Sequence, residues 1–362
     1  MVYNGAAFGG FQVTRDSGVR PASGYGHVPL VEVWRGETLE SVHYGTIAVV
    51  DSTGRMIASA GDPTTTLVLR SAAKPAQVLP LLDSGAAEHF GFDDEEIAVM
   101  IGSHNGEAAH VAAVRSILGK IGLGEEALQC GAHPPFHRPS AMLLHERGVA
   151  PTALHNNCSG KHAGMLALAV HLGTPVASYL EETHPVQVRI RAVVEELTGV
   201  GAGGARTAID GCSAPTFAVP IQGAALMYAR LTTPGSPPRS RIAAAASRAV
   251  AVMHRHPEMV AGSDRLCTAL MRAGRGGLVA KVGAEGVYGL SYERGGLGIG
   301  IALKIADGEG QRARFSAALE ALRQLGVLAP DEAAALRARF AGELRNHRGL
   351  LVGEITTAFQ LA

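Results

Sequence analysis

With 362 residues, 47% of them hydrophobic, the chain is long enough for one large domain or two ordinary ones, and its 32 basic residues cancel its 32 acidic ones. No long run of one sign offers nucleic acid or an anionic membrane a footprint, and nowhere do about eighteen apolar residues run uninterrupted. The N-terminus lacks a charged segment leading into an apolar one, so the sequence reads as a soluble, cytoplasmic protein that meets small molecules or other proteins, not nucleic acid or membrane.

Residues 29–35 (PLVEVWR) and 42–50 (VHYGTIAVV) read as strands, and the turn DSTGR at 51–55 leads into a third, MIASA. Helical periodicity then dominates at 72–83, 94–101, 108–120 and 161–172, broken by Gly/Pro-rich stretches such as CGAHPPFHRPS at 130–140. A further helix follows Pro185, and TTPGSPPRS at 232–240 reads as an exposed loop ahead of an alanine-rich helix at 241–255. Strands return within 276–308 as VAKVG, GVYGLSY and IGIALKIA. Helices at 312–325 and 330–342 follow, and a last apolar run, GEITTAF at 353–359, fits as a closing strand.

Strands at both ends of a helical middle, about 72–256, predict an α+β fold in which the terminal segments share one antiparallel sheet and the helical part packs beside it. The Gly-rich residues 1–26 stand apart as a mobile arm or a dimer contact, leaving 27–362 as a single domain.

Cysteine is scarce: Cys130, Cys158, Cys212 and Cys267, without a secretion signal, read as free thiols or metal ligands and not as a disulfide framework. Lysine is scarcer still, since only five of the 32 basic residues are Lys. A sequence that prefers arginine this strongly keeps lysine where a neutral amine or a compact ammonium is needed.

Two of those lysines belong to an ordered set of three short motifs. In LVLRSAAKPAQVL (68–80), Ser71 precedes a helical run and Lys74 lies three residues on, with Pro75 suited to a first helical turn. Taken singly, S-x-x-K is a helix cap beside a solvated cation. A catalytic reading requires Lys74 as a neutral amine, a downward shift of about three pH units or about 4 kcal/mol, from burial or a nearby cation. Ser103 and Asn105 in IGSHNGE then form S-x-N, and Lys281 and Gly283 in VAKVGAEG form K-x-G on a predicted strand. The three motifs in that order resemble the signature set of serine β-lactamases and penicillin-binding proteins. In that set the first lysine activates a nucleophile, the second serine relays a proton, and the second lysine supplies positive charge.

HNNCSGKHAGMLAL (155–168) and AIDGCSAPTFAVP (209–220) place Cys158 and Cys212 among Gly and polar residues. Helical spacing sets Cys158, Lys161 and His162 on one face, and an extended segment would project Asp210 and Cys212 to one side. Two thiolates and a nitrogen ligand suit Zn²⁺, but the C-x₂-C spacing of zinc ribbons is absent. Two unpaired thiols beneath a pocket remain the other reading.

Together RSAAKP, GSHNGE, QCGAHP, NNCSGKHAGML, DGCSAPTF, HRHPEMVAG and AKVGAEG resemble the third, β-lactamase-like structural class of L-asparaginases, the asparaginase II family, from about residue 27 to 308 and more faintly beyond. The resemblance implies a serine β-lactamase-like fold, a homodimer, and hydrolysis of L-asparagine to L-aspartate and ammonia. It implies Ser71 or Ser103 as the nucleophile, with Lys74 and Lys281 as their lysines, and a metal site of Cys158, Lys161 and Cys212, usually zinc, that influences substrate binding. It also implies that Arg70, His162 and Asp210 lie near the substrate, with Asp210 suited to an ammonium group. SHN and KVG depart from the SDN and KTG of β-lactamases, so hydrolysis of β-lactams is not implied.

Two rival readings remain. The same scaffold serves a glutaminase or another amide hydrolase, because one methylene is worth only about 1–3 kcal/mol of discrimination. A zinc- or amino-acid-binding protein without turnover is the rival from another class, and the placement of three of the five lysines in motifs counts against it.

Overall fold

The computed structural model describes residues 25–233, 242–274, 277–341 and 343–362. Nearly all of the suggested N-terminal arm and most of the 232–240 loop lie outside these residues.

Eleven strands are described: β1 (Val28–Arg35), β2 (Thr38–Asp51), β3 (Met56–Ala60), β4 (Thr66–Val68), β5 (Arg206–Ile209), β6 (Pro215–Pro220), β7 (Val279–Val282), β8 (Val287–Arg294), β9 (Leu297–Ile305), β10 (Glu343–Arg345) and β11 (Leu351–Thr357). The main sheet runs β10-β11-β1-β2-β9-β8-β7, with β3 also on β2. Its pairs are antiparallel; Val33 lies opposite Ile355, and Ala48 opposite Ala302. The terminal segments thus share one sheet, as the sequence predicts, with the first and last strands as direct neighbours within it, and β7 with Lys281 is an edge.

Continuous apolar runs in β2 and β9 are buried because both faces of the sheet are covered. Successive side chains of a strand face opposite ways, and β8 shows what lies on each side. At Gly289 a Cβ would come within 2.0 Å of the Tyr228 ring, so the helix Ile221–Thr232 packs directly on the backbone there. The adjacent Tyr288 meets Phe315 of the helix Arg312–Gln324 at a ring separation of 6.3 Å. Tyr228 is too long to stop at the sheet, and its hydroxyl donates to the carbonyl of Ala72 at 2.7 Å, bracing the turn that carries Ser71.

A second sheet, β4-β6-β5, is absent from the sequence reading. β4 leads into the Ser71 turn, and the β5–β6 hairpin carries Asp210 and Cys212 at its tip. The predicted helix at 72–83 is broken: a 3₁₀ turn, Arg70–Ala73, precedes short helices Lys74–Gln77 and Leu79–Asp83, with Pro75 and Pro80 at first-turn positions. Ser71 is not an N-cap. It lies inside the 3₁₀ turn, whose cap position is Leu69, and the helix after it begins from Ala73. The 130–140 stretch read as an interruption runs into a helix, Arg138–Glu146, that buries none of its residues. Among the described residues no helix is long and apolar enough to cross a membrane.

Candidate active site

Lys74, Ser103 and Lys281 come from three separate elements: the short helix Lys74–Gln77, the loop after the helix Asp94–Ile101, and β7. All three are buried. Lys74 Nζ lies 3.0 Å and Lys281 Nζ 2.7 Å from the Ser103 hydroxyl, although Ser103 and Lys281 are 178 positions apart in the chain. Lys74 also donates to the carbonyls of Gly102 at 2.5 Å and Asn157 at 3.2 Å, and Lys281 donates to that of Val282 at 2.9 Å.

These neighbours define what each amine can do. A neutral amine has two N–H donors and one lone pair. At Lys74 the two carbonyls can only accept, so in the neutral state the lone pair is left for the Ser103 O–H. Burial pushes the Lys74 pKa down, against the Cys158 sulfur, which favours its charge. Burial, followed by the charge of Lys74, holds Lys281 well below the ordinary lysine range. Two cations against one hydroxyl is an arrangement in which giving up a proton is favoured.

Ser71 differs from Ser103 in exposure and partners. It is half-buried, and its hydroxyl makes no hydrogen bond among the described residues, to Lys74 included. Its backbone N–H and that of Ala284, which follows the K-x-G motif, are also without backbone acceptors there. The turn is held in an uncommon conformation. Arg70 has φ +49°, a left-handed value that costs a residue with a Cβ on the order of 1 kcal/mol or more. Its N–H donates to Thr216 Oγ1 at 3.1 Å, and its Nε donates to Asp210 Oδ1 at 2.6 Å. Thus β6 and the β5–β6 hairpin together hold the residue that precedes Ser71.

The thiols cluster alongside. Gly160, at the start of the helix Ser159–His171, has no room for a Cβ, which would lie 2.2 Å from the Val99 carbonyl oxygen. That close approach brings Cys158 and Lys161 against the segment that leads into Ser103. Lys161 donates to Cys212 Sγ at 2.9 Å, with Asp210 Oδ2 3.9 Å away. The hydrogen bond from Cys212, together with the charges of Lys74 and Lys161, keeps the Cys158 thiol well below its usual range despite its burial. The same bond and burial push Cys212 up. Burial opposes charge on Lys161, yet the neighbouring Cys158, Cys212 and Asp210 raise it. Asp210 likewise stays ionised against its burial, through Lys161 and Arg70.

Cys158, Lys161 and Cys212 thus meet as two sulfurs and an amine, donor types that suit zinc once Cys212 and Lys161 lose their protons. Among the described residues no group of three or more His, Cys, Asp or Glu is arranged to hold a metal, so a metal here would depend on the lysine.

His162 is fully buried, with Nδ1 sharing a hydrogen bond of 2.6 Å with the Tyr179 hydroxyl. Burial holds it neutral, and the structure places Tyr179, not solvent, against it. Sequence reasoning missed Asn157 and Gly102, which act through their carbonyls, and Thr216, which supports Arg70 from a strand that had not been identified. Carbonyl groups carry no residue-type signal, so nothing in the sequence marks them.

The model of the family described as L-asparaginase II matches residues 31–357. No curated protein matches the chain. Among solved structures, Mglu in its L-glutamate binding form is 17% identical with a TM-score of 0.35, covering 78% of this chain and 58% of the Mglu chain. This chain thus spans less than two-thirds of the length of that protein. A Bacillus glutaminase is 13% identical with a TM-score of 0.37, covering 78% of this chain and 91% of its own.

Proposed function

Because the chain belongs to the L-asparaginase II family, whose members are amide hydrolases, we propose that it hydrolyses L-asparagine to L-aspartate and ammonia through a serine acyl-enzyme. The observation that carries this reading is the approach of Lys74 and Lys281 to one buried hydroxyl, that of Ser103, close to the strained turn of Ser71.

Ser71 is the nucleophile in this scheme. It is the serine that a substrate can reach, whereas Ser103 is enclosed with its oxygen already engaged by two amines. When substrate binds, the Ser103 hydroxyl turns away to donate to the substrate amide nitrogen, which frees the lone pair of the neutral Lys74 to take the proton of Ser71 as Ser71 attacks the side-chain amide carbon. The free N–H groups of Ser71 and Ala284 stabilise the oxyanion. Ser103 and Lys281 deliver a proton to the departing nitrogen, the carbon–nitrogen bond breaks to release ammonia, and water then cleaves the ester to free aspartate. Arg70 and Asp210 offer opposite charges beside Ser71 for the α-carboxylate and α-ammonium of the substrate.

Cys158, Lys161 and Cys212 would hold a zinc ion, which when bound supplies positive charge beside the substrate and fixes that wall of the site. Four unpaired, buried cysteines suit a reducing compartment such as the cytoplasm. The homodimer that the resemblance implies is tested by light scattering on the purified protein.

The deciding experiment is ammonia release from L-asparagine and L-glutamine, compared as kcat/KM. Preference for asparagine is expected. Preference for glutamine would make this a glutaminase, and release from neither would overturn the reading in favour of a binding protein.

A further inference from the structure

The three residues of the S-x-N motif are each tied to a different neighbour. The Ser103 N–H donates to the Val260 carbonyl at 2.9 Å. His104 accepts the N–H of Gly106 on Nδ1 at 3.1 Å, which leaves Nε2–H to donate to Ser159 Oγ at 3.0 Å. Asn105, buried, donates from Nδ2 to Asp264 Oδ1 at 2.6 Å and to Glu107 Oε1 at 3.3 Å, while its Oδ1 accepts from Arg265 at 3.0 Å.

Both ends of the Asn105 amide are therefore satisfied by protein groups, which leaves little capacity for a substrate amide. The fit is tight: Gly262 has φ +136°, and a Cβ there would lie 2.1 Å from Asn105 Nδ2. The backbone carbonyl of Asn105 is also taken, by the N–H of His137 at 3.1 Å.

We propose that Asn105 is a positioning residue, held by Asp264 and Arg265 so that the 103–105 loop keeps the Ser103 hydroxyl between Lys74 and Lys281, and that it makes no contact with the amide being cleaved. This rests on the reading of the Ser103–lysine cluster as the catalytic centre. The clamp matters because Ser103 has to satisfy two amines at once, and a displacement of about 1 Å in such a constellation costs on the order of 10²-fold in rate.

The test is an exchange of the two side chains. Asn105→Asp sets a carboxylate against those of Asp264 and Glu107 and is expected to lower kcat by about 10-fold or more with KM little changed. Asp264→Asn keeps an acceptor opposite Asn105 and is expected to lose less. The double variant is made in a Glu107→Gln background, because Glu107 also faces position 105; there the carboxylate now at position 105 can accept from the amides at 264 and 107 and from Arg265, so kcat is expected to recover to within about threefold of Glu107→Gln alone. Failure of the double variant to recover, or a loss that falls on KM, would overturn the clamp, since a substrate contact made by Asn105 is not restored by changing Asp264. Should Asn105→Asp not fold, Asp264→Ala at that exposed position tests the same bond, and an unchanged kcat there would equally overturn it.

Each protein is also read by its rate of covalent labelling with a fluorophosphonate, which needs an activated serine but no amide. Labelling of the parent without ammonia release would sink the amidase reading and leave the clamp to be judged on the labelling rates. Neither signal in the parent would sink both.

Discussion

Lys74 and Lys281 hydrogen-bond to a single oxygen, that of Ser103, and each is buried. Two amines so placed cannot both carry charge without cost, and the cost falls on the folded state. Burial, then Lys74, lowers the Lys281 pKa well below its ordinary value, so the unfolded chain binds more protons than the native one at intermediate pH. Stability attributable to this group is therefore lost as pH falls from the unfolded pKa, about 10.4, toward the folded one. Lys281→Met is expected to abolish turnover yet raise Tm at about pH 7, with the gain shrinking toward about pH 10.5. Thermal melts across that range decide it; a Tm lowered at neutral pH would show that the ammonium is compensated in the native state.

The two serines are separable by trapping. A diazoketone analogue of asparagine should label the parent once, and peptide mapping should place the adduct on Ser71. Ser71→Ala is expected to lose adduct and turnover together, by about 10³-fold or more, whereas Ser103→Ala should slow labelling without moving it. An adduct on Ser103 would exchange their roles.

Arg70 supplies a stability comparison. Arg70→Gly and Arg70→Ala both lose the bond to Asp210, but only glycine accepts φ +49° without penalty. Urea titrations should find Arg70→Gly the more stable of the two by about 1 kcal/mol, with both impaired in KM. Equal midpoints would mean that the turn relaxes to an ordinary conformation once the guanidinium is gone.

Metal content tests the thiols. The purified protein is expected to carry about one zinc per chain, and Cys158→Ser/Cys212→Ser to carry none. Chelation should raise KM for asparagine while kcat holds within a few-fold. Zinc retained by the double variant would place the metal elsewhere.

The long, strongly patterned elements were legible from sequence: β1, β2, β8 and β9, the helices around 94–101 and 108–120, and the closing strand near 353–359 lie within a few residues of expectation. The second sheet was not, because β4 and β5 span only three and four residues, too few for an alternating pattern to register. At the site, residue types were informative and partners were not. Lys74 was expected beside Ser71 from local helical spacing, but a 3₁₀ turn and a tertiary contact send its amine to Ser103 instead. Cys158 and Cys212 are 54 positions apart, and only the close approach permitted by Gly160 and the hairpin from β6 unites them with Lys161.

The pairing of β1 with β11 has a consequence for how the molecule is made. Val31 through Trp34 leave the ribosome more than 300 residues before Glu354 to Thr357, their neighbours in the finished sheet. On the nascent chain the hairpin of β1 and β2 therefore waits with unpaired edges, and Ser103 waits for Lys281. Such long-range closure slows folding, so the Ser103–lysine cluster forms only after β7 has emerged, and the waiting strands are where holdase chaperones would act.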